Sequence, residues 1–325
     1  MLAWLDKREV ADRWVAEITK AEVKEIHQHE DIPEVFAKYY LMIYAATAAK
    51  TTTETQDLVR DMHLPQLEEE DSSALERDLS ADEIEEAICG LQSGKAVGPN
   101  GVPVELYKVQ AEKLAPYMLQ MFEESRDKGI LPEDQRTATI VTIHKEGKPR
   151  EDCASYRPIS LLNAEVKIMA KLFAMRLLLV ITKLIHPDQS GFMPRRNTAL
   201  NLRRLQAVMG WANAINEDEV VLSLDVKMAF DPIEWPYMFV ALKKMGFGPK
   251  FLKWVGLLYT EPLARVKVND KHFKVFRLHR GMRQGCPLSP LIFALVLEPL
   301  AVWIRNDPKI RGLRWEAEWE DRISL

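Results

Sequence analysis

The order of apolar and polar positions divides the chain into helical and extended stretches. In residues 1–50, Trp4, Val10, Trp14 and Ile18, then Val35, Tyr39, Met42 and Ile43, recur at threes and fours. That is the spacing of one helix face, so a helical extension is expected there. Residues 50–77 carry Thr51-Thr52-Thr53, the acidic run Glu68 to Asp71 and Ser72-Ser73, which predicts a solvated linker and a boundary near residue 78. Ser80 and Glu83 form a capping box for a helix through Ile84, Ala87, Ile88 and Leu91 that is expected to stop at Gly94. Ile140 to His144 reads as a strand feeding a basic turn, Lys145 to Pro149, and Val166 to Ile185 as a long apolar helix. Val220-Val221-Leu222-Ser223-Leu224 predicts a compact buried strand ending on Asp225. Helices follow over Tyr237 to Met245 and Lys250 to Tyr259. Arg265 to Val268 and His272 to Val275 alternate around Asn269-Asp270 as a β-hairpin. Ser289 as N-cap and Pro290 at the first helical position open a last helix through Leu300. Helices and strands are intermixed without an internal repeat, so the fold class is α+β.

Composition narrows the picture. With 325 residues, 47% hydrophobic and 28% charged, the chain can bury a sizeable core and does not read as disordered. Cys89, Cys153 and Cys286 are odd in number and far apart, which offers neither a disulfide framework nor a zinc site. A reducing, intracellular compartment is expected, cytoplasmic or nuclear. The N-terminus carries Asp6, Lys7, Arg8 and Glu9 rather than an apolar leader. No membrane span is expected, because Arg176, Lys183 or Glu298 interrupts the most apolar stretches.

Charge is unevenly spread. The net −4 averages −13 over residues 1–92 and +9 over residues 93–325, and residues 136–283 alone carry +12. Such asymmetry suits a polyanionic partner joined to an acidic extension, and equally a solvated basic face.

Three segments could carry chemistry. Asp225, at the end of an expected buried strand, would suit a divalent metal, or would cap a neighbouring turn. Five residues on, Phe230 is either a core aromatic or a wall against a bound sugar. Arg280 to Pro290 is a loop fixed by two glycines and two prolines with Gln284 at its tip; Gly281 and Gly285 would let backbone approach a ligand closely. In Ala154 to Ser160, Arg157 could offer a planar fork to phosphate, with Lys145 as a compact charge nearby, or could be an ordinary surface arginine. His144, His186 and His279 lack partners at ligand spacing, and no Gly-x-Ser-x-Gly elbow supports a serine nucleophile.

Taken in order, these pieces resemble the reverse transcriptase domain of non-LTR, LINE-type retrotransposons. The resemblance runs from about Leu79 to Leu325, through Ser93 to Gly101, Tyr156 to Asn163, Asp188 to Phe192, Leu224 to Asp231 and Arg280 to Pro290. It implies a right-hand polymerase: an acidic helical extension and linker over 1–78, a fingers-like region over 79–215 and a partial palm over 216–325, without the thumb. It also implies an RNA template, a DNA primer, deoxynucleoside triphosphates and two Mg2+ ions, with Mn2+ as an alternative; it sets no oligomeric state. By motif match Asp225 is the first metal-binding aspartate and Val226 offers its backbone carbonyl to an ion. Phe230 matches the gate that excludes a 2′-hydroxyl, Gln284 with Gly285 the position beside the incoming nucleotide, and Arg157 and Lys145 the cations on the triphosphate.

The sequence departs from the family pattern in places. Asn100 stands where Asp is usual, Met228 where Lys is usual, and Pro232 follows the Asp231 motif. The sequence ends at Arg322-Ile323-Ser324-Leu325, where the resemblance places the start of the Tyr/Phe-Ala-Asp-Asp box. Asp225 alone cannot hold two ions about 4 Å apart, so the expectation is a chain that does not polymerise by itself. A non-catalytic nucleic-acid-binding remnant is the alternative, and a phosphohydrolase using Asp225 and Asp231 a weaker one.

Overall fold

The structure is a computed structural model and describes residues 15, 17–19, 26–28, 32–46, 52–215, 220–226, 228–310, 313–315 and 319–321. The expected periodicity over Trp4, Val10 and Trp14 lies outside these residues. It is a mixed α/β fold built on a five-stranded mixed sheet. The strand β3 (Thr137–His144) is rich in β-branched residues and lies in the middle. It runs antiparallel to β4 (Tyr156–Leu161), with His144 opposite Tyr156, and parallel to β5 (Leu263–Val268), with Thr139 opposite Arg265. Asn269 and Asp270, both with positive φ (49° and 59°), make the tight turn into β6 (Lys271–His272), while β7 (Phe276–Arg277) pairs with the start of β5. Two short hairpins stand apart from this sheet: β1 (Glu17–Thr19) with β2 (Ile26–Gln28), and β8 (Leu313–Trp315) with β9 (Trp319–Asp321).

Two cores flank the sheet. The smaller is made by helix α1 (Ile32–Tyr44), whose buried Phe36 and Tyr40 pack with Ile140, Val266 and Val268, and Phe36 meets the Tyr156 ring edge-on at 5.0 Å. Helical spacing thus holds for Tyr39 to Ile43 but not for Ile18. That residue is fully buried in β1, and the neighbouring Val15 backbone is hooked at both its N–H and C=O by the Asn269 side chain (3.0 and 2.7 Å). The larger core gathers the helices α4 (Ala81–Cys89), α6 (Ala111–Lys128), α8 (Ala164–Leu184), α10 (Trp235–Lys244), α11 (Pro249–Tyr259) and α12 (Ser289–Asn306). Here Phe173 of α8 meets Phe251 edge-on and the Trp254 ring at a tilt.

The expected linker is not solvated throughout. Residues 52–60 and 69–75 are helical, and Val59, Leu64 and Leu75 are buried. Two acidic groups explain this. Glu76 accepts from the N–H groups of Lys250 and Phe251 (2.9 and 2.7 Å), capping α11 from a distance. Glu83 forms a fork with buried Arg176, which also takes the carbonyls of Arg77 and Asp78. Burial pushes the Glu83 carboxyl up, but the hydrogen bonds and charge of Arg176 prevail and hold it below the usual range.

The capping box at Ser80 is present, with Glu83 returning to the Ser80 N–H, though the helix ends at Cys89 with Gly90 as cap rather than at Gly94. Ser289 is the first residue of α12 rather than its cap; Leu288 holds that position and gives no side-chain bond. By length and composition α12 is the described helix that could cross a membrane. It instead packs into the larger core, and its buried Glu298 pairs with Arg305.

At Gly98 the fold leaves no room for a side chain. The turn from Gly98 to Gly101 rests on Asn163, whose side-chain oxygen accepts from Asn100 N at 3.1 Å, and a Cβ on Gly98 would overlap the Asn163 backbone. Gly98→Ala is therefore expected to cost about 2–3 kcal/mol, whereas Gly94→Ala, with open space but a φ of 72°, costs about 1 kcal/mol. Denaturant midpoints of the two variants check this ordering.

Candidate active site

The candidate residues fall into two groups. The first is the turn Met228 to Asp231 together with the loop Arg280 to Cys286. Met282 N donates to the Phe230 carbonyl at 2.8 Å and Gly281 N to the Ile233 carbonyl at 2.8 Å, so the loop runs alongside the turn. Gln284 is joined to the sheet as well, because its carbonyl accepts from Ser160 N of β4 at 2.7 Å. This close approach explains both glycines. Gly281 (φ 89°) and Gly285 (φ 116°) would carry Cβ atoms 2.7 Å from the Asp231 carbonyl and 2.6 Å from the Ser160 carbonyl. Their small size thus serves contact with the chain's own backbone.

At the centre is Asp231, only 1% exposed. Its carboxylate accepts from the Tyr44 hydroxyl at 2.7 Å, and Lys145 and the Gln284 side chain also favour its ionised form. Burial outweighs these three groups and pushes the carboxyl up to about 6. The same burial, with the negative charge beside it, raises the Tyr44 hydroxyl well above its ordinary value.

Phe230 is half-buried and does pack: it stacks on Phe293 of α12 at 4.4 Å and meets Phe192 edge-on at 6.1 Å. Phe192 belongs to the Asp188 to Phe192 motif. There Asp188, 5% exposed, holds Arg204 at 2.5 Å, and its carbonyl accepts from Asn201 at 2.6 Å. On the hairpin, Arg157 is exposed on β4 opposite Ile143, while Lys145 follows β3 and donates to the Ala154 carbonyl at 2.8 Å. Lys145 thus faces Asp231, and Arg157 lies on the same end of the sheet.

The second group, Asp225 and Val226, stands apart. Residues 220–226 join no strand ladder, and Val220, Val221, Leu222, Leu224 and Val226 are all exposed, Val220 at 91%. The expected buried strand is therefore absent. A strand needs a neighbour for its backbone groups, and in the order β4-β3-β5-β6 no strand lies beside this segment. Asp225 is likewise exposed, so Asp225 and Asp231 form no shared carboxylate site. Among the described residues no three His, Cys, Asp or Glu side chains gather to hold a metal. The described residues therefore do not fit a two-ion centre.

The family profile described as reverse transcriptase (RNA-dependent DNA polymerase) matches residues 143–315. The chain belongs to the reverse transcriptase family. Its relatives place it in the non-LTR, LINE-type retrotransposon branch. It is 31% identical over 250 residues to the Transposon TX1 uncharacterized 149 kDa protein of Xenopus laevis, covering 77% of this chain and 19% of that protein. It is 28% identical over 219 residues to the RNA-directed DNA polymerase from mobile element jockey of Drosophila melanogaster, covering 67% and 24%. To the Retrovirus-related Pol polyprotein from type-1 retrotransposable element R2 of Popillia japonica it is 24% identical over 229 residues, covering 70% and 31%. The chain thus spans about a fifth to a third of the length of these curated relatives.

The reverse transcriptase motifs include Ser160 and Asp231 without giving either a role, and they leave Tyr44 out. A carboxylate directly after Ala229-Phe230 is a usable signal, since an acid in an apolar turn needs partners once buried. Tyr44 offers no such local sign.

The proton on Asp231 gives a test. The folded carboxyl, raised from 3.8 to about 6, holds its proton more tightly than the unfolded one. Its contribution to stability is therefore full below pH ~4 and falls, by at most about 3 kcal/mol, as pH rises to about 6. Asp231→Asn abolishes this loss, so the variant should gain on the wild type between pH ~4 and ~6 in denaturant titrations. A difference that does not change with pH would show that the carboxyl titrates normally.

Proposed function

We propose that this chain is the nucleotide-selecting portion of an RNA-directed DNA polymerase of a LINE-type retrotransposon. The observation that supports it most is the seating of the Arg280 to Cys286 loop between the Phe230 turn and β4, within a chain of the reverse transcriptase family. In this reading residues 79–215 are fingers, residues 216–325 part of a palm and residues 1–78 an N-terminal arm. The reaction is attack of a primer 3′-hydroxyl on the α-phosphate of a deoxynucleoside triphosphate, with pyrophosphate leaving. Arg157 and Lys145 attract the triphosphate, Gln284 and Gly285 border the base and sugar, and Phe230, backed by Phe293, excludes a 2′-hydroxyl. Asp225, with the Val226 carbonyl, is one ligand for Mg2+ or Mn2+. The exposed cations of residues 136–283 follow template and primer phosphates, in the cytoplasm or nucleus.

Because Asp225 belongs to no metal-holding cluster among the described residues, residues 1–325 are expected to bind primer–template without extending it. Single-nucleotide extension on a primed RNA with Mg2+ or Mn2+ should give no product above background; extension that Asp225→Ala abolishes would overturn that expectation. Binding without catalysis is the second reading, favoured by the same basic stretch. Filter binding of the primed duplex should weaken steeply with salt, roughly tenfold or more between 50 and 200 mM. Binding that ignores salt would sink both readings of the basic surface.

A further inference from the structure

Helix α1 lies outside every motif that carries the family resemblance, yet its last residue reaches the middle of the candidate site. The Tyr44 hydroxyl donates to Asp231 at 2.7 Å, and the Tyr44 carbonyl accepts from His279 N at 3.0 Å. Beside it, the Ile43 carbonyl accepts from Arg280 Nε at 2.7 Å. The Tyr44 ring fills the space over Gly281, where a Cβ would come within 3.0 Å of it. Trp235 Nε1 donates to the Gly281 carbonyl at 2.9 Å. The loop is thus held both by α1 and by the segment from Phe230 to Trp235. Gln284 is fixed at its backbone by Ser160, and its side chain approaches the carboxylate that Tyr44 holds.

We propose that Tyr44 is a positioning residue for the nucleotide-binding loop: by orienting the Asp231 carboxylate it sets where the Gln284 side chain stands. The acidic N-terminal arm then belongs to the substrate site of the polymerase rather than serving only as a joint to neighbouring sequence. This rests on the polymerase reading above. Removing the hydroxyl leaves Asp231 with fewer donors, frees Gln284 and loosens the loop. The charged and titratable groups around this carboxylate are Tyr39, Tyr40 and Tyr44 of α1 and Lys145 after β3; Arg280 is turned away to Glu234 and the Ile43 carbonyl.

Amide hydrogen exchange over residues 280–286 of the 325-residue chain tests the relay, with rates corrected for the intrinsic effect of pH. Tyr44→Phe should speed exchange there by roughly fivefold while leaving residues 164–184 as in the wild type. Acidification through about pH 6 should tighten the wild-type loop, because Asp231 binds its proton more strongly packed than exposed, and Tyr44→Phe should move that midpoint upward because it removes a donor to the ionised form. Combining Tyr44→Phe with Gln284→Ala should do little more than either change alone, as expected of residues in one network. Strictly additive effects, or a Tyr44→Phe loop with the wild-type rate and pH profile, would overturn the relay. The same experiment with dGTP and Mg2+ separates the two claims. Protection of the wild-type loop, weakened roughly fivefold in apparent affinity by Tyr44→Phe, supports both. A relay present without any protection by dGTP refutes the nucleotide role and leaves the loop contact standing.

Discussion

The burial of one carboxylate organises the centre of this protein. Asp231 follows an apolar turn and is almost completely removed from water. An isolated charge in that position would be strongly destabilising, so the surrounding chain has to bring donors and a counter-charge to it. Tyr44, Lys145 and Gln284 supply them from three segments far apart in sequence. The accompanying backbone contacts, Gly281 to Ile233 and Met282 to Phe230, require the loop to lie flat against the turn, which only glycine at position 281 permits. Loop, turn, N-terminal helix and sheet edge are therefore fixed by a single requirement.

The larger core uses the same device at its margin. Arg176 is buried on a largely apolar helix and is satisfied by a fork to Glu83 and by the backbone carbonyls of Leu75, Arg77 and Asp78. Glu76 closes the N-terminus of the helix Pro249–Tyr259. The acidic surplus of the first 92 residues is thus partly structural: these carboxylates saturate a buried guanidinium and a helix end. The surplus of positive charge farther along remains largely at the surface, Arg157 among it, where a polyanion can reach it.

Much of the local structure is legible in the sequence, for reasons of short range. The Ser80 capping box, the hairpin at Asn269-Asp270 and the long helix beginning at Ala164 each depend on residues within a few positions of one another. Legibility fails where a distant partner decides. Val220 to Leu224 has the composition of a buried strand, but no strand lies beside it and its side chains meet solvent. Ile18 fits a helical spacing but is drawn into a short hairpin hooked to Asn269. Ser289 has the chemistry of a cap, yet the helix begins one residue earlier than that role requires.

The same division holds for the site. Several short motifs in a fixed order reveal the family without reference to what they touch, and they mark Phe230, Gln284, Lys145 and Arg157 as residues of interest. Long-range packing alone makes Asp231 the carboxylate at the centre, leaves Asp225 exposed and brings Tyr44 within reach. Tyr44 and Asp231 are 187 positions apart. Burial is a property of what packs around a side chain, and neither composition nor spacing near Asp231 records which helix arrives to cover it.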